Sequence, residues 1–233
     1  MSHHLRRDLK AALERDPAAR SALEVALTYP GVHALWVYRL THWLWLHHYK
    51  LPARWLASVA RTLTGVEIHP AAVLGSSIFI DHATGVVIGE TAQVGDDVTI
   101  YQGVTLGGTS LERGKRHPTI GNRVIIGAGA KILGPITIGD DSRIGANAVV
   151  VGSVPAHSVV VGIPGRIIAR TKSRAATKIS DIDDGQMPDL VGLSLESLAN
   201  RVDGLEALAG TEPDDRHVRP PKSGIWSGED FSI

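Results

Sequence analysis

Aliphatic residues return every sixth position from Ile68 to Val150. Counted in sixes, the frame holds Ile68, Leu74 and Ile80, then, after a two-residue shift, Ile88, Val94, Ile100 and Leu106. Beyond a break it resumes at Ile120, Ile126, Ile132, Ile138, Ile144 and Val150, and no position in it is polar. The next residue is usually glycine: Gly75, Gly89, Gly95, Gly107, Gly121, Gly127, Gly139 and Gly145. This double regularity predicts a parallel β-helix. Each six-residue unit makes one short strand and one corner, three units close a triangular turn, and the aliphatic side chains stack inward into one column. Glycine beside them suits corners, where a side chain would crowd the bend or block positive φ. Periodicity alone does not give the hand of the coil.

Before the coil the pattern is helical. Leucines at 5, 9 and 13, with charges on the other face, predict a helix over 4–14. Asp16-Pro17 is read as its end and as the start of another, with Asp16 as N-cap and Pro17 at the first helical position. That second helix runs to Tyr29, where Pro30-Gly31 punctuates it. Residues 32–49 carry Trp36, Tyr38, Trp43, Trp45 and Tyr49, but Arg39, His42, His47 and His48 break the apolar run. A membrane span needs about 20 mainly apolar residues, so the stretch is read as a helix packed on helices or on a neighbouring subunit. A last helix from Pro52 to Thr64 ends at Gly65 as its C-cap.

After Val150 the frame loosens and closes at Val161-Gly162-Ile163-Pro164-Gly165. Residues 171–189 read as a polar linker, Leu193 to Leu208 as a short amphipathic helix, and the segment from Gly210 as a flexible tail. The domain expectation is therefore a helical domain over 1–65, a β-helix over 66–170 and a linker, helix and tail over 171–233. Composition changes little. Hydrophobic content of 43% is ample for a core, and 24 basic against 24 acidic residues give no argument for nucleic acid or an acidic membrane. Cysteine is absent, which excludes disulfides and Cys-ligated metals. No signal-peptide pattern opens the chain, so the expected location is cytoplasmic.

Two places stand out chemically. Asp81-His82-Ala83-Thr84-Gly85 lies where the six-residue count slips, which puts His82 near a corner with its ring available. Glu67, about one turn earlier, is near enough in principle to orient it, and an imidazole so held is a base near neutral pH. The second place is the insertion 108–118, glycine-rich, basic and ending in Arg116-His117-Pro118. A coil has no need of such a loop, and binding groups are commonly carried on insertions. Arg116 there suits a carboxylate bound through two oxygens. Three alternatives stay open on residues alone: an acetyltransferase for a sugar or antibiotic hydroxyl, a zinc-dependent hydratase using His69, His82 and His117 as ligands, and a scaffold without catalysis.

Taken together, Glu67-Ile68-His69-Pro70-Ala71-Ala72, Asp81-His82-Ala83-Thr84-Gly85, Gly89-Glu90-Thr91, Val104-Thr105-Leu106-Gly107-Gly108-Thr109, Lys115-Arg116-His117-Pro118 and Gly127-Ala128-Gly129-Ala130-Lys131 resemble serine O-acetyltransferases. The likeness also takes in Arg15-Asp16-Pro17 and His42-Trp43-Leu44-Trp45 and covers roughly residues 5–170. The resemblance implies a left-handed coil and transfer of acetyl from acetyl-CoA, a co-substrate rather than a resident cofactor, to the hydroxyl of L-serine in cysteine synthesis. No metal is expected, because no compact metal-ligand spacing occurs in the sequence. The resemblance makes His82 the general base, with Glu67 where the family has an aspartate. Asp16 and Asp81 match acids that hold the substrate amino group, Arg116 and His117 match those that hold its carboxylate, and Gly108 matches a backbone contact. Gly107, Ala128, Lys131, Ala146 and Arg166 are the corresponding CoA candidates. The family is trimeric, with a longer helical N-terminus joining two trimers in many members. Cysteine is expected to compete in the serine pocket, and a C-terminal Asp230-Phe231-Ser232-Ile233 matches the family habit of docking into O-acetylserine sulfhydrylase.

Overall fold

The computed structural model describes residues 2–170, together with Ser197, Leu198, Asn200, Arg201, Val202 and Leu205, which are helical. Most of the expected linker, helix and tail, including Asp230 to Ile233, lies outside the described residues. The chain divides after Ala175, and the helices and coil described below belong to the first unit.

Four helices come first: α1 (Ser2–Arg15), α2 (Ala22–Thr28), α3 (Pro30–Leu46) and α4 (Lys50–Thr64). Pro30 stands in the first turn of α3, where its missing N–H costs nothing. Gly65 closes α4 at φ 72°, donating its N–H to the Arg61 carbonyl at 2.8 Å. One expectation is corrected: Asp16 does not cap α2. Its Oδ1 accepts the Ala18 N–H at 2.8 Å in a local turn, and Ser21 is the cap, accepting the Glu24 N–H at 3.2 Å. A short acid after a helix end bonds its own neighbouring backbone more readily than a helix starting six residues later.

The helices are tied to the start of the coil. The Tyr38 hydroxyl donates to the Ala72 carbonyl at 2.7 Å and accepts the Leu74 N–H at 3.1 Å. Arg39 donates to the Leu74 carbonyl at 2.9 Å and to Asp8 at 3.2 Å. Asp8 is fully buried and also accepts the Ile78 N–H at 3.2 Å. Ala11, Ala12, Val25 and Val32 bury a second small core against Phe79. On the far side of α4, Leu51, Trp55, Val59 and Leu63 form an exposed stripe at four-residue spacing. Among the described residues no helix is long and apolar enough to cross a membrane.

The coil follows in turns of three strands. The first turn is β1 (Glu67–Ile68), β2 (Val73–Leu74) and β3 (Phe79–Ile80); the second is β4 (Val87–Ile88), β5 (Gln93–Val94) and β6 (Thr99–Ile100). The third is β7 (Thr105–Gly107), β8 (Thr119–Ile120) and β9 (Ile125–Ile126), and the fourth is β10 (Lys131–Leu133), β11 (Thr137–Ile138) and β12 (Arg143–Ile144). Then β13 (Val149–Val150) and β14 (Ser158–Val161) close the coil, and β15 (Arg166–Arg170) pairs antiparallel with β14. Three parallel faces result: sheet A (β1-β4-β7-β10-β13), sheet B (β2-β5-β8-β11) and sheet C (β3-β6-β9-β12-β14, edged by β15).

Partners lie eighteen residues apart at Val87↔Thr105 and Lys131↔Val149, twenty at Glu67↔Val87 and twenty-six at Thr105↔Lys131. The first excess is the slip around His82, and the second is the insertion. Every aliphatic residue of the six-residue frame is buried, from Ile68 at 5% exposure to Val150 at 2%.

The glycine expectation holds for crowding and is corrected for positive φ. Those after frame residues do not adopt positive φ; they are needed because the next turn lies against them. A β-carbon on Gly75 would stand 2.6 Å from the Gly95 carbonyl oxygen, and one on Gly139 2.3 Å from the Ala156 nitrogen. Positive φ falls three places after the frame residue instead, at Ser77, Asp97, Arg123, Asp141 and His157 between sheets B and C, and at Ala83, Gly103, Gly129 and Asn147 between sheets C and A.

Candidate active site

Two clusters of functional groups form, on two different edges of the prism. The first is on the edge between sheets C and A. The two added residues there throw both His82 and Ala83 into positive φ, at 54° and 55°. His82 is turned outward, its side chain 73% accessible, with Nε2 3.8 Å from Asp81 Oδ2. Burial pushes the Asp81 carboxyl up from its ordinary value; His82 draws it back and Asp16 adds to the rise. Asp16 reaches this corner from the turn after α1, and Tyr29 donates its hydroxyl to Asp16 Oδ2. That bond, with burial and the neighbouring acids, pushes the phenol up to about 12. Asp81 thus lies beside an exposed imidazole, and Asp16, from a distant part of the chain, is near enough to Asp81 to raise its pKa.

The same edge continues upward. Gly103 donates its N–H to Thr84 at 2.9 Å, Gly129 to Gln102 at 2.8 Å, and Asn147 to Ala128 at 2.7 Å, so these corners stack. Lys131 opens β10 and donates Nζ to the Gly103 carbonyl. Ala128, Lys131 and Ala146 therefore run along the edge that begins at His82. Gly107 ends β7 across sheet A, where a β-carbon would stand 2.9 Å from Leu133 Cδ2, and Arg166 opens β15 opposite Val161. Glu67 is not brought to His82: its Oε2 pairs with Arg61 Nη1 at 3.1 Å, and no hydrogen bond or ion pair joins it to the imidazole.

The second cluster is on the edge between sheets A and B, where the loop 108–118 leaves β7 and returns to β8. An open cleft of about 560 Å³ lies there, lined by Glu90, Thr91, Arg116 and loop residues 110–114. Arg116 forms an ion pair with Glu90, and that bond holds the Glu90 carboxyl below its ordinary value. His117 is 8% exposed, and its ring lies over Gly89, where a β-carbon would come within 2.0 Å of Cδ2. Gly108 lies on the other side with more room, a β-carbon there standing 3.2 Å from Arg116 Cγ and 3.3 Å from His117 Nε2. Burial, then Arg116, depresses the His117 pKa. His69 lies near this cluster, and burial followed by Arg54 brings its pKa down to about 4. Donors approach both of its nitrogens, Arg54 at Nε2 (2.6 Å) and the Ala71 N–H at Nδ1 (3.0 Å).

His69, His82 and His117 do not converge within a chain: among the described residues no three His, Cys, Asp or Glu side chains are grouped to hold a metal. Sequence reasoning missed Tyr29, Glu90, Thr91 and Arg61 as members of these clusters. Glu90 and Thr91 had a signal, since they lie in the motif Gly89-Glu90-Thr91; Tyr29 and Arg61 had none.

A family model for the bacterial transferase hexapeptide (six repeats) matches residues 117–152. The serine acetyltransferase of Mycobacterium tuberculosis is 62% identical over 229 residues, which span 98% of this chain and 98% of that one. The chain belongs to the serine acetyltransferase family. It is thus an acyltransferase, and its coil is the left-handed parallel β-helix of that family. Two solved family members agree in fold. The Neisseria gonorrhoeae enzyme in complex with serine superposes with a TM-score of 0.70 at 47% identity, over 72% of this chain and 69% of that one. The Brucella abortus enzyme in complex with coenzyme A gives 0.71 at 50% identity, over 73% and 68%.

Proposed function

We propose that this protein transfers acetyl from acetyl-CoA to the hydroxyl of L-serine, giving O-acetylserine and CoA, with His82 as general base. The observation that carries the chemistry is an exposed imidazole paired with Asp81, which in turn feels the charge of Asp16. A zwitterionic acceptor suits acids near its ammonium and a cation near its carboxylate. His82 takes the hydroxyl proton as the oxygen attacks the thioester carbonyl; the intermediate collapses to the ester, and the leaving thiolate takes that proton back from the imidazolium. Asp81, with Oδ2 3.8 Å from Nε2, is better placed to orient the ring than Glu67, which is paired with Arg61.

Arg116 and His117 would receive the carboxylate, with Gly108 leaving the backbone accessible. These groups occupy a different edge from His82, separated by the width of sheet A, on the order of 15–20 Å for five or six extended residues. That span exceeds one amino acid, so the serine site in this reading is completed across a homotrimer interface, His82 from one copy facing Arg116 and His117 of the next. Pantetheine would lie along the edge carrying Ala128, Lys131 and Ala146, with Gly107 and Arg166 as further contacts. Cysteine has the same charged ends as serine and competes for the pocket, which makes the enzyme, cytoplasmic in this reading, a feedback-controlled entry to cysteine synthesis. Asp230 to Ile233 would dock into O-acetylserine sulfhydrylase.

The test is thiol release from acetyl-CoA with L-serine against a panel of sugar, antibiotic and other amino-acid hydroxyls. Serine is expected to lead the panel by a wide margin. Equal turnover of a sugar would overturn the assignment.

A further inference from the structure

We infer that Thr91 is the positioning residue of the carboxylate corner, holding His117 in the tautomer that carries its proton on Nε2 and aims that N–H between Gly89 and Gly108. This deepens the proposed function, since it rests on the reading of Arg116 and His117 as carboxylate ligands.

The argument is a count of donors and acceptors. Thr91 Oγ1 accepts the Arg116 N–H at 3.0 Å and the His117 N–H at 3.1 Å. A hydroxyl whose two lone pairs are so engaged has one proton left to give. His117 Nδ1 lies 2.9 Å from that oxygen. The Thr91 backbone N–H points at the same nitrogen from 3.2 Å. A ring nitrogen that receives two donors carries no hydrogen, so the proton of the neutral ring is on Nε2. The Thr91 carbonyl in turn accepts Lys115 Nζ at 2.8 Å. One residue of the corner after β4 therefore holds three consecutive residues of the insertion.

The surroundings agree. Nε2 faces the two glycines, and a β-carbon on Gly89 would sit 2.1 Å from it. Arg116 is the adjacent cation, gripped on one side by Glu90. A second positive charge in the ring would be repelled by it, whereas a neutral N–H beside a guanidinium offers two kinds of donor to one carboxylate. In isolation either tautomer of imidazole is available. Here the choice is made by a threonine that need not touch the substrate.

The rival is a purely structural staple, in which Thr91 pins the loop and the tautomer is incidental. The experiment uses the full-length protein labelled with ¹⁵N-histidine, with His117→Asn to assign the ring. The wild type is expected to show a pyridine-like Nδ1 and a pyrrole-like Nε2, and Thr91→Val to add an Nδ1–H or doubly protonated population. In the same variant KM for serine is expected to rise about tenfold, the effect of about one lost hydrogen bond, with KM for acetyl-CoA unchanged within about twofold. Thr91→Ser restores both readouts. An Nδ1–H ring in the wild type, an unchanged spectrum in Thr91→Val, or equal losses for both substrates without rescue by serine would overturn the inference. A wild-type enzyme inactive on serine would sink the functional reading, and the ring spectrum would still decide the tautomer.

Discussion

Gly31 of α3 lies so close to Ile80 of β3 that a β-carbon on the glycine would stand 2.1 Å from the Ile80 carbonyl oxygen. The obstacle is backbone and cannot swing aside. Gly31→Ala must therefore lift α3 off the first turn of the coil. Overpacking of this kind costs about 1–3 kcal/mol, and the upper end is expected. Denaturant unfolding monitored by tryptophan fluorescence should show a lower midpoint; an unchanged one would mean that the helix and coil are not in this contact.

His82→Ala is expected to lower kcat by about 10² to 10⁴, the usual contribution of a general base. Acetyl-CoA affinity by calorimetry should be retained, because the stacked edge at Ala128 and Ala146 is untouched. Rates near wild type would remove the base assignment.

His69 links stability to pH. Its folded pKa of about 4 lies below the unfolded value of 6.5, so between these the unfolded chain binds the extra proton. Stability from this group is present above pH 6.5 and is lost as the pH falls toward about 4. His69→Gln should flatten that acid limb in thermal melts across the window. Parallel wild-type and variant curves would show that the burial of this ring is not felt.

The assembled particle is expected at three times the 24.8 kDa chain mass by ultracentrifugation. Trp55→Glu, on the exposed stripe of α4, should weaken the assembly, since apolar surface of that kind marks a contact. A variant trimer as tight as wild type would assign the stripe to something else.

Removing Ile233 is expected to abolish binding to O-acetylserine sulfhydrylase while acetyl transfer continues at the wild-type rate. Calorimetry with unchanged affinity would count against the tail as the docking element.

Much of this was readable in advance because a repeat of six with an apolar frame has one physical solution. Each of Ile68, Leu74, Ile80 and their successors needs the turn above and below, and both breaks in the count, at His82 and at 108–118, mark the two clusters. What stayed hidden depends on dihedrals and pairing. The positive-φ column holds serine, aspartate, arginine, asparagine and histidine, so composition does not announce it. Asp16 looked like a cap because acid-proline pairs often are, yet its partners are the Ala18 N–H and the Tyr29 hydroxyl. Glu67 stands where the resemblance calls for a partner to the imidazole, but Arg61, from the helix just before it, holds it instead.

Both departures from an eighteen-residue turn are edge insertions, two residues at one vertex and eight at another. Neither displaces a rung, because lengthening a vertex leaves every inward side chain in phase. An odd insertion within a face would instead invert the alternation of that strand and drive a polar group into the column. Evolutionary novelty in such a scaffold is thereby channelled to its rims, where chemistry can be gained or exchanged while the interior stays blind to the change.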